Sequence, residues 1–342
     1  MEDSMVRKRT KSAASSGTLL LSRSDVERCL EVSEVVALVE RVFEEHTKGE
    51  IAMPPKVSLD MSAFGIPSWM NAMPAYDHFI GVHGLKWIGG FADNASTAEL
   101  PYLMGTLLLN DPRTGMTTAM MDATRITSMR TGASAAVAAR HLARSDSAVA
   151  TVIGCGVQGV DSLRCLHHVF KLEEVRAVDL EQDARRAFLE EAAALGINGR
   201  AVEDIREAVA DADIIVMATT ANEPLVMWDW LNPGAFIADL GSYQELSDEV
   251  VMRADKRVVD HRAQAEHRGE LARLFRGRRI TQEDVYAELG EIVVGTVPGR
   301  EADAEIIVAA LIGMASEDVA VGNAVVQRAR TLELGQCFDF LA

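Results

Sequence analysis

Three cations in the first half of the chain have the types and surroundings to handle a small acid: Lys56, Lys86 and Arg130. Arg130 lies in Thr127-Ser-Met-Arg-Thr-Gly132, where a long run of Ala and Gly begins. A guanidinium holds an α-carboxylate through two parallel hydrogen bonds. Lys86 sits in the mostly apolar run Gly84-Leu-Lys-Trp87, and Lys56 follows Met53-Pro-Pro. A lysine among apolar neighbours has a lowered pKa and exchanges protons near neutrality. The ordinary alternative for each cation is an ion pair or a stem lying along apolar surface. His83 and His141 are further candidates as general acids, although a lone histidine is more often structural. Trp69, Asn71, Trp87, Phe91 and Tyr243 are candidates for lining a substrate pocket, the alternative for Trp and Phe being the core.

A second set of residues points to a dinucleotide. The apolar run Val149–Ile153 leads into Gly154-Cys-Gly156-Val157-Gln158-Gly159, and a helical pattern follows. Such a glycine triplet is informative only between a strand and a helix, which is its context here. Gly154 permits the tight turn, Gly156 lets the backbone approach a pyrophosphate, and Gly159 lets helix and strand pack closely. The helix start offers free N–H groups and a positive dipole end. The next strand ends in Asp179, 20 residues beyond Gly159. A carboxylate there accepts hydrogen bonds from both ribose hydroxyls and repels a 2′-phosphate, so NAD is expected over NADP. Arg185 and Arg186, close by in sequence, pull weakly the other way.

The elements that would position these groups fall into two patterns. After Ser33, Val35, Leu38, Val39, Val42 and Phe43 share one helical stripe closed by Gly49. Leu107–Asn110 and Met116–Met121 flank the turn-forming Asp-Pro-Arg-Thr-Gly and read as a hairpin. Thr127–Arg144 reads as a helix of small residues able to pack closely on a neighbouring backbone. From Ala148, short apolar strands alternate with amphipathic helices: Val149–Ile153, Val175–Asp179, Ile214–Ala218, Phe236–Leu240 and Arg257–Asp260. That alternation is the mark of a parallel sheet with helices on both faces. A last strand is expected over Glu305–Ala309 and a long helix over Ser316–Leu334. The fold class expected is α/β, a Rossmann-type doubly wound nucleotide domain (131–305) inserted in an α+β substrate domain (18–130 with 306–342), after a disordered basic tail over 1–17.

The 342 residues carry a net charge of −17, a balance that disfavours nucleic acid and anionic membrane surfaces as partners. The longest apolar stretch, Ile306–Met314, is too short to span a bilayer. The basic start has no apolar region after it and is not a secretory signal. Cys29, Cys155, Cys165 and Cys337 are scattered, without a C-x-x-C pair. Reduced thiols in the cytoplasm, and no metal site, are therefore expected.

Taken in order, the short strings resemble the ornithine cyclodeaminase/mu-crystallin family over nearly the whole chain after the tail. They are Met53-Pro-Pro-Lys56, Met73-Pro-Ala75, Gly84-Leu-Lys86, Asn110-Asp-Pro-Arg-Thr-Gly115, Met121-Asp-Ala-Thr124, Thr127-Ser-Met-Arg-Thr-Gly132 and Leu142-Ala-Arg144, then the glycine loop, Glu288-Leu-Gly290 and Pro298-Gly-Arg300. The resemblance implies a Rossmann domain for NAD(P) and a second domain that forms a homodimer through its sheet. It also implies an amino, imino or 2-oxo acid substrate. Lys86 matches the family's active-site lysine and Arg130 its carboxylate-binding arginine. Lys56 takes a position often held by Arg that also meets the carboxylate, and Met-Pro-Pro-Lys is similar to the alanine dehydrogenase branch. Asn71, Met73 and Tyr243 fall on the substrate side, and Thr127, Thr219 and Thr220 near the cofactor. Two departures stand out. Cyclodeaminases carry Glu where this chain has Asn71, and Asp about where it has Tyr243. The resemblance therefore implies a reductase of small imino acids, with a redox-neutral cyclodeaminase and a non-catalytic NAD(P)H-binding crystallin-like protein as alternatives.

Overall fold

The computed structural model describes residues 17–94 and 100–342, so the expected tail lies outside the described residues except for Gly17. The early strands are β1 (Thr18–Leu21), β2 (Ile51–Ala52), β3 (Val57–Asp60), β4 (Ser68–Asp77), β5 (Val82–Phe91), β6 (Leu103–Asn110) and β7 (Thr117–Asp122). Next come β8 (Val149–Ile153), β9 (Glu174–Val178), β10 (Asn198–Ala201), β11 (Ile214–Met217), β12 (Phe236–Asp239), β13 (Lys256–Val259), β14 (Ala287–Glu288) and β15 (Ile307–Ala310). The chain closes with β16 (Gln336–Phe338).

They form two sheets. The first runs β16-β1-β7-β6-β5-β4-β2, with β3 also paired to β4. It therefore takes strands from both ends of the chain. The expected hairpin is β6–β7, bulged between Leu109 and Asn110. On β5 the period of two decides the chemistry: Lys86 and Ile88 turn inward and are buried, whereas Trp87 between them points out and is 41% exposed. Trp87 is thus not a pocket residue, because it stands on the opposite face from Lys86. The helix Ala315–Thr331 lies along the inner side of β4, β5 and β6, and the helix Val32–Thr47 lies against it.

The second sheet is parallel throughout, in the order β10-β9-β8-β11-β12-β15-β13-β14. Its central strands are apolar on both faces. Val152, Val216, Ala238 and Ala309 join one core, while Ile153, Ile215, Ile237 and Val308 join another on the far side. This double burial explains their continuous hydrophobic runs. β15 lies between β12 and β13, inside this sheet. Ile307–Ala310, expected on the substrate side of a boundary at 305, thus pair within the parallel sheet. The boundary expected at 130 falls inside one continuous helix, Thr124–Leu142. That helix packs on the helix Val157–Val169 behind the glycine loop. A Cβ at Gly132 would sit 2.6 Å from the backbone carbonyl of Asp161, so only glycine allows this approach.

Candidate active site

Lys86, Arg130 and Lys56 reach one cavity from three elements. β5 delivers Lys86, which is 1% exposed; its Nζ lies 2.5 Å from Asp318 Oδ2 and donates to Thr127 Oγ1 at 3.1 Å. Thr127, Arg130, Thr131 and Ser134 share one face of the Thr124–Leu142 helix at the 3–4 spacing that stacks side chains. From there Arg130 Nε donates to Asp318 Oδ1 (3.1 Å) and Nη1 to Glu317 Oε2 (3.2 Å). Ser134 Oγ holds the other oxygen of Glu317 at 3.0 Å. Gly313, at φ +84°, leaves room for the guanidinium, since a Cβ there would lie 2.1 Å from Nη1. Lys56 is half-buried at the start of β3, and its Nζ donates to Ile312 O at 2.5 Å.

Burial without full neutralisation sets the acid–base character of this group. It lowers Lys86 to about 8, against the opposing pull of Asp318. Lys56 is lowered to about 7 by burial, then by the Arg130 charge. Burial raises Glu317 to about 7, opposed by Arg130. Two lysines are thus poised to exchange protons near neutral pH.

The cavity is about 110 Å³ and is lined by Lys56, Asn71, Met73, Lys86, Thr127, Arg130, Gln158, Thr219, Thr220 and Tyr243, with Trp69 among its apolar walls. Among the described residues no acidic side chain lines it; Glu317 and Asp318 stand behind the cations. Phe91, at the end of β5, does not line it, and His141 is turned away to Glu40 at 2.9 Å.

Thr219 and Thr220 also line a second cavity of about 600 Å³, with Gly154, Gly156 and Asp179. This cavity lies beyond the carboxyl ends of β8 and β11, where the strand order reverses, the place at which open parallel sheets bind nucleotides. Gly154, at φ +100°, makes the turn against Ala218, and Gly159 is pressed on the Gly154 carbonyl. A Cβ at Gly156 would meet nothing within 4 Å, so the backbone here borders open space. The helix Val157–Val169 starts there with no side-chain cap, its first N–H groups free for an anion. Asp179 Oδ2 accepts from Cys155 N at 2.7 Å and Oδ1 from Glu181 N at 2.9 Å, which fixes the carboxylate beside the glycine loop. Arg185 Nη1 bonds the Asp179 carbonyl, while Arg186 is exposed and pairs with Asp183. These residues fit a dinucleotide, and Thr219 and Thr220 line both this cavity and the one with the three cations. Val157, half-exposed, and Gly159, packed inside, line neither cavity.

A model of the ornithine cyclodeaminase/mu-crystallin family matches residues 16–333. The chain belongs to this family. It is 37% identical over 327 residues to an alanine dehydrogenase of Archaeoglobus fulgidus, covering 94% of this chain and 98% of that one. An archaeal alanine dehydrogenase dimer with bound NAD superposes at TM-score 0.89 with 36% identity, over 95% of this chain and 99% of that one. So does a Thermococcus litoralis Δ1-pyrroline-2-carboxylate reductase in complex with NADH and L-proline, at TM-score 0.89 and 33% identity, over 93% and 99%.

In this member of the ornithine cyclodeaminase/mu-crystallin family, two groups of buried acids escaped the sequence reading. Glu317 and Asp318, both fully buried, pass in the sequence for the acids common in a first helical turn. The signal against that reading is that the helix after them, Val319–Val326, has no charged residue to form a solvated face. The second group is Asp239, Glu245 and Glu270 beneath Thr219. Glu245 Oε1 accepts from Thr219 N (2.9 Å) and Oγ1 (2.6 Å) and so fixes the loop where the two cavities meet. Burial, then the charges of Glu245 and Glu270, push the Asp239 carboxyl well above its ordinary range.

Proposed function

We propose that this chain is an NAD(H)-dependent oxidoreductase that reduces a small imino acid, formed from a 2-oxo acid and an amine or supplied as a ketimine, or oxidises the corresponding amino acid. The observation that carries this reading is a cavity with three cations and, among the described residues, no lining carboxylate, joined at Thr219 and Thr220 to a cavity with the glycine loop and Asp179. The NAD complexes of the relatives support the choice of cofactor. Such a lining suits an anion. It does not suit the second ammonium group of a diamino acid, which weighs against ornithine cyclisation.

NADH, when bound, supplies the hydride. Arg130 spends Nε and Nη1 on Asp318 and Glu317, and Nη2 has no partner among the described residues. Nη2 and Lys56 Nζ hold the substrate carboxylate and orient the imine. Lys86, near 8, gives its proton to the imine nitrogen and makes the carbon electrophilic; Asp318 holds the ammonium in place before transfer. In the oxidative direction neutral Lys86 takes the proton back. Asn71, Met73 and Tyr243 shape the side-chain pocket. Residues 18–130 with the chain after Ala310 form the substrate unit, and the intervening residues the nucleotide unit. Two copies assemble through the first sheet, in line with the dimeric relative.

NADH absorbance with pyruvate, glyoxylate or oxaloacetate plus ammonia or methylamine, and with a cyclic imine, tests the reading. We expect consumption that requires both oxo acid and amine, or the cyclic imine, and loss of at least about 100-fold in kcat for Lys86→Met. Ammonia release from ornithine without net NADH change would establish a cyclodeaminase. Tight NADH binding without turnover of any imine would establish a non-catalytic binder.

A further inference from the structure

The inner cavity opens into a cleft of about 930 Å³. The two share Lys56, Trp69, Asn71, Tyr102, Ser242 and Tyr243, so the cleft starts where the inner cavity ends. Its charged lining is Lys56, Arg268, Arg273 and Arg276 against Asp60 and Glu270. Glu270, Arg273 and Asp60 have partners, and Arg276 is exposed to solvent. Glu270 Oε2 accepts from Glu245 N (2.7 Å) and Leu246 N (3.1 Å), and its Oε1 from Arg273 Nη2 (2.6 Å). Arg273 also pairs with Asp248. Asp60 is exposed and accepts from Ser62 N at 2.9 Å.

Arg268 differs. It is half-buried, it has no carboxylate within ion-pair distance among the described residues, and its partner is the Ser58 hydroxyl. Ser58 in turn donates to Asn71 Oδ1, its neighbour across β3–β4. A chain of contacts, Arg268–Ser58–Asn71, therefore leads from the cleft to the inner cavity. Burial lowers the Arg268 pKa, and its charge helps to lower that of Lys56. Arg268 faces the same continuous space as Lys56, but the charge of the buried Asp260 carboxylate opposes that of Lys56, whereas no carboxylate pairs with Arg268 among the described residues. A half-buried guanidinium whose partner is a neutral hydroxyl keeps an uncompensated charge. An anionic ligand group supplies the missing partner.

We propose that Arg268, with Ser58, is the subsite for a second carboxylate of the substrate, so that the imino acid reduced here is at least a dicarboxylate. The α-carboxylate goes to Arg130 and Lys56, and the second carboxylate extends past Asn71 to Arg268. This rests on the reductase reading of the inner cavity. The second carboxylate comes either from the side chain of the oxo acid or from the amine that condenses with it. Both present the same group to Arg268.

Calorimetric titration of the full chain with NADH present, using succinate and propionate as probes, tests the subsite without turnover. A charge-assisted hydrogen-bonded pair corresponds to about 10- to 100-fold in affinity. We expect succinate to bind at least about 10-fold more tightly than propionate, the preference to fall below about threefold in Arg268→Gln, and Arg268→Lys to recover part of it. Equal binding of the two probes by the unaltered protein, or a preference that survives in folded Arg268→Gln, would overturn the subsite. Kinetics then separate the two sources. A kcat/KM higher for oxaloacetate with ammonia than for pyruvate with ammonia assigns the carboxylate to the oxo acid; one higher for pyruvate with glycine assigns it to the amine. Turnover with neither advantage overturns the proposal. Absence of all turnover overturns the reductase reading instead, and the succinate preference still decides the subsite.

Discussion

Lys56 and Lys86 sit in the same cavity, yet they are held in different ways. Lys86 has a carboxylate 2.5 Å away, whereas Lys56 donates to a backbone carbonyl and meets the charge of Asp260 without an ion-pair contact. Lys56 accordingly falls further, to about 7 against about 8. Its charge holds an anion only while it is protonated, so the sign follows directly. The contribution of Lys56 to carboxylate affinity is nearly full one unit below its pKa of about 7, half lost at that pKa, and gone toward pH 9. Arginine does not titrate in this range. A pH series of propionate binding in the presence of NADH should show this decline in the unaltered chain, and Lys56→Arg should remove the part centred near 7 and leave the later part, near 8, that belongs to Lys86. An unchanged decline in Lys56→Arg would remove Lys56 from carboxylate binding. Asp179 offers a second residue-level prediction. Its carboxylate repels a 2′-phosphate, and Arg185 stands ready beside it. Asp179→Ser should raise the KM for NADH about 10-fold or more and shift the NADPH-to-NADH ratio of kcat/KM upward about 100-fold, as loss of charge-assisted hydrogen bonds and of repulsion dictates.

Elements that bury both faces were the ones legible in the sequence. Val149–Ile153 reads and folds as the same five residues, because its one polar side chain, Thr151, is β-branched and finds a buried partner in the Ala208 carbonyl. The helix expected over Ser316–Leu334 runs Ala315–Thr331, and the hairpin and the Val32–Thr47 helix formed where the periodicity placed them. The order of strands in space was not legible. β15 follows β14 in sequence but inserts between β12 and β13, a crossover that local pattern does not encode. The pocket side of β5 was misjudged for Trp87, because an unmarked alternation leaves open which face is inner. The cations of the site were visible as chemical oddities in apolar runs; Glu317 and Asp318 were not, because helix starts normally carry acids. The small-residue helix Thr124–Leu142 did what its composition implied. Its closest approach is at Gly132, so Gly132→Val should force it off the Val157–Val169 helix at a cost of about 1–3 kcal/mol or more. Urea unfolding with unchanged m-value would measure that loss. Because both helices carry site residues, the same variant should also weaken NADH binding, which a purely local defect would not do.

At the scale of the molecule, charge constrains how two copies can meet. Each carries a net −17, so a face rich in carboxylates would repel its own copy. β5 and β6 contain no acidic residue between Val82 and Phe91 or between Leu103 and Asn110. Their outer side presents Trp87, Met104 and, on β7, Met120, which are 41%, 38% and 39% exposed. Large apolar side chains gathered on one side of a sheet are the mark of an association surface. The helices occupy the other side, so this face is the one that the proposed assembly of two copies would use. Light scattering on a sizing column should give twice the 37.1 kDa of one chain. Trp87→Glu would bury a carboxylate opposite its symmetry mate in an isologous contact, and should yield a monomer at micromolar concentration. Added salt screens the overall repulsion but not a buried pair. Raising salt should therefore tighten the native dimer and leave Trp87→Glu largely monomeric. A native chain that runs as a monomer at low and high salt would refute assembly through this face.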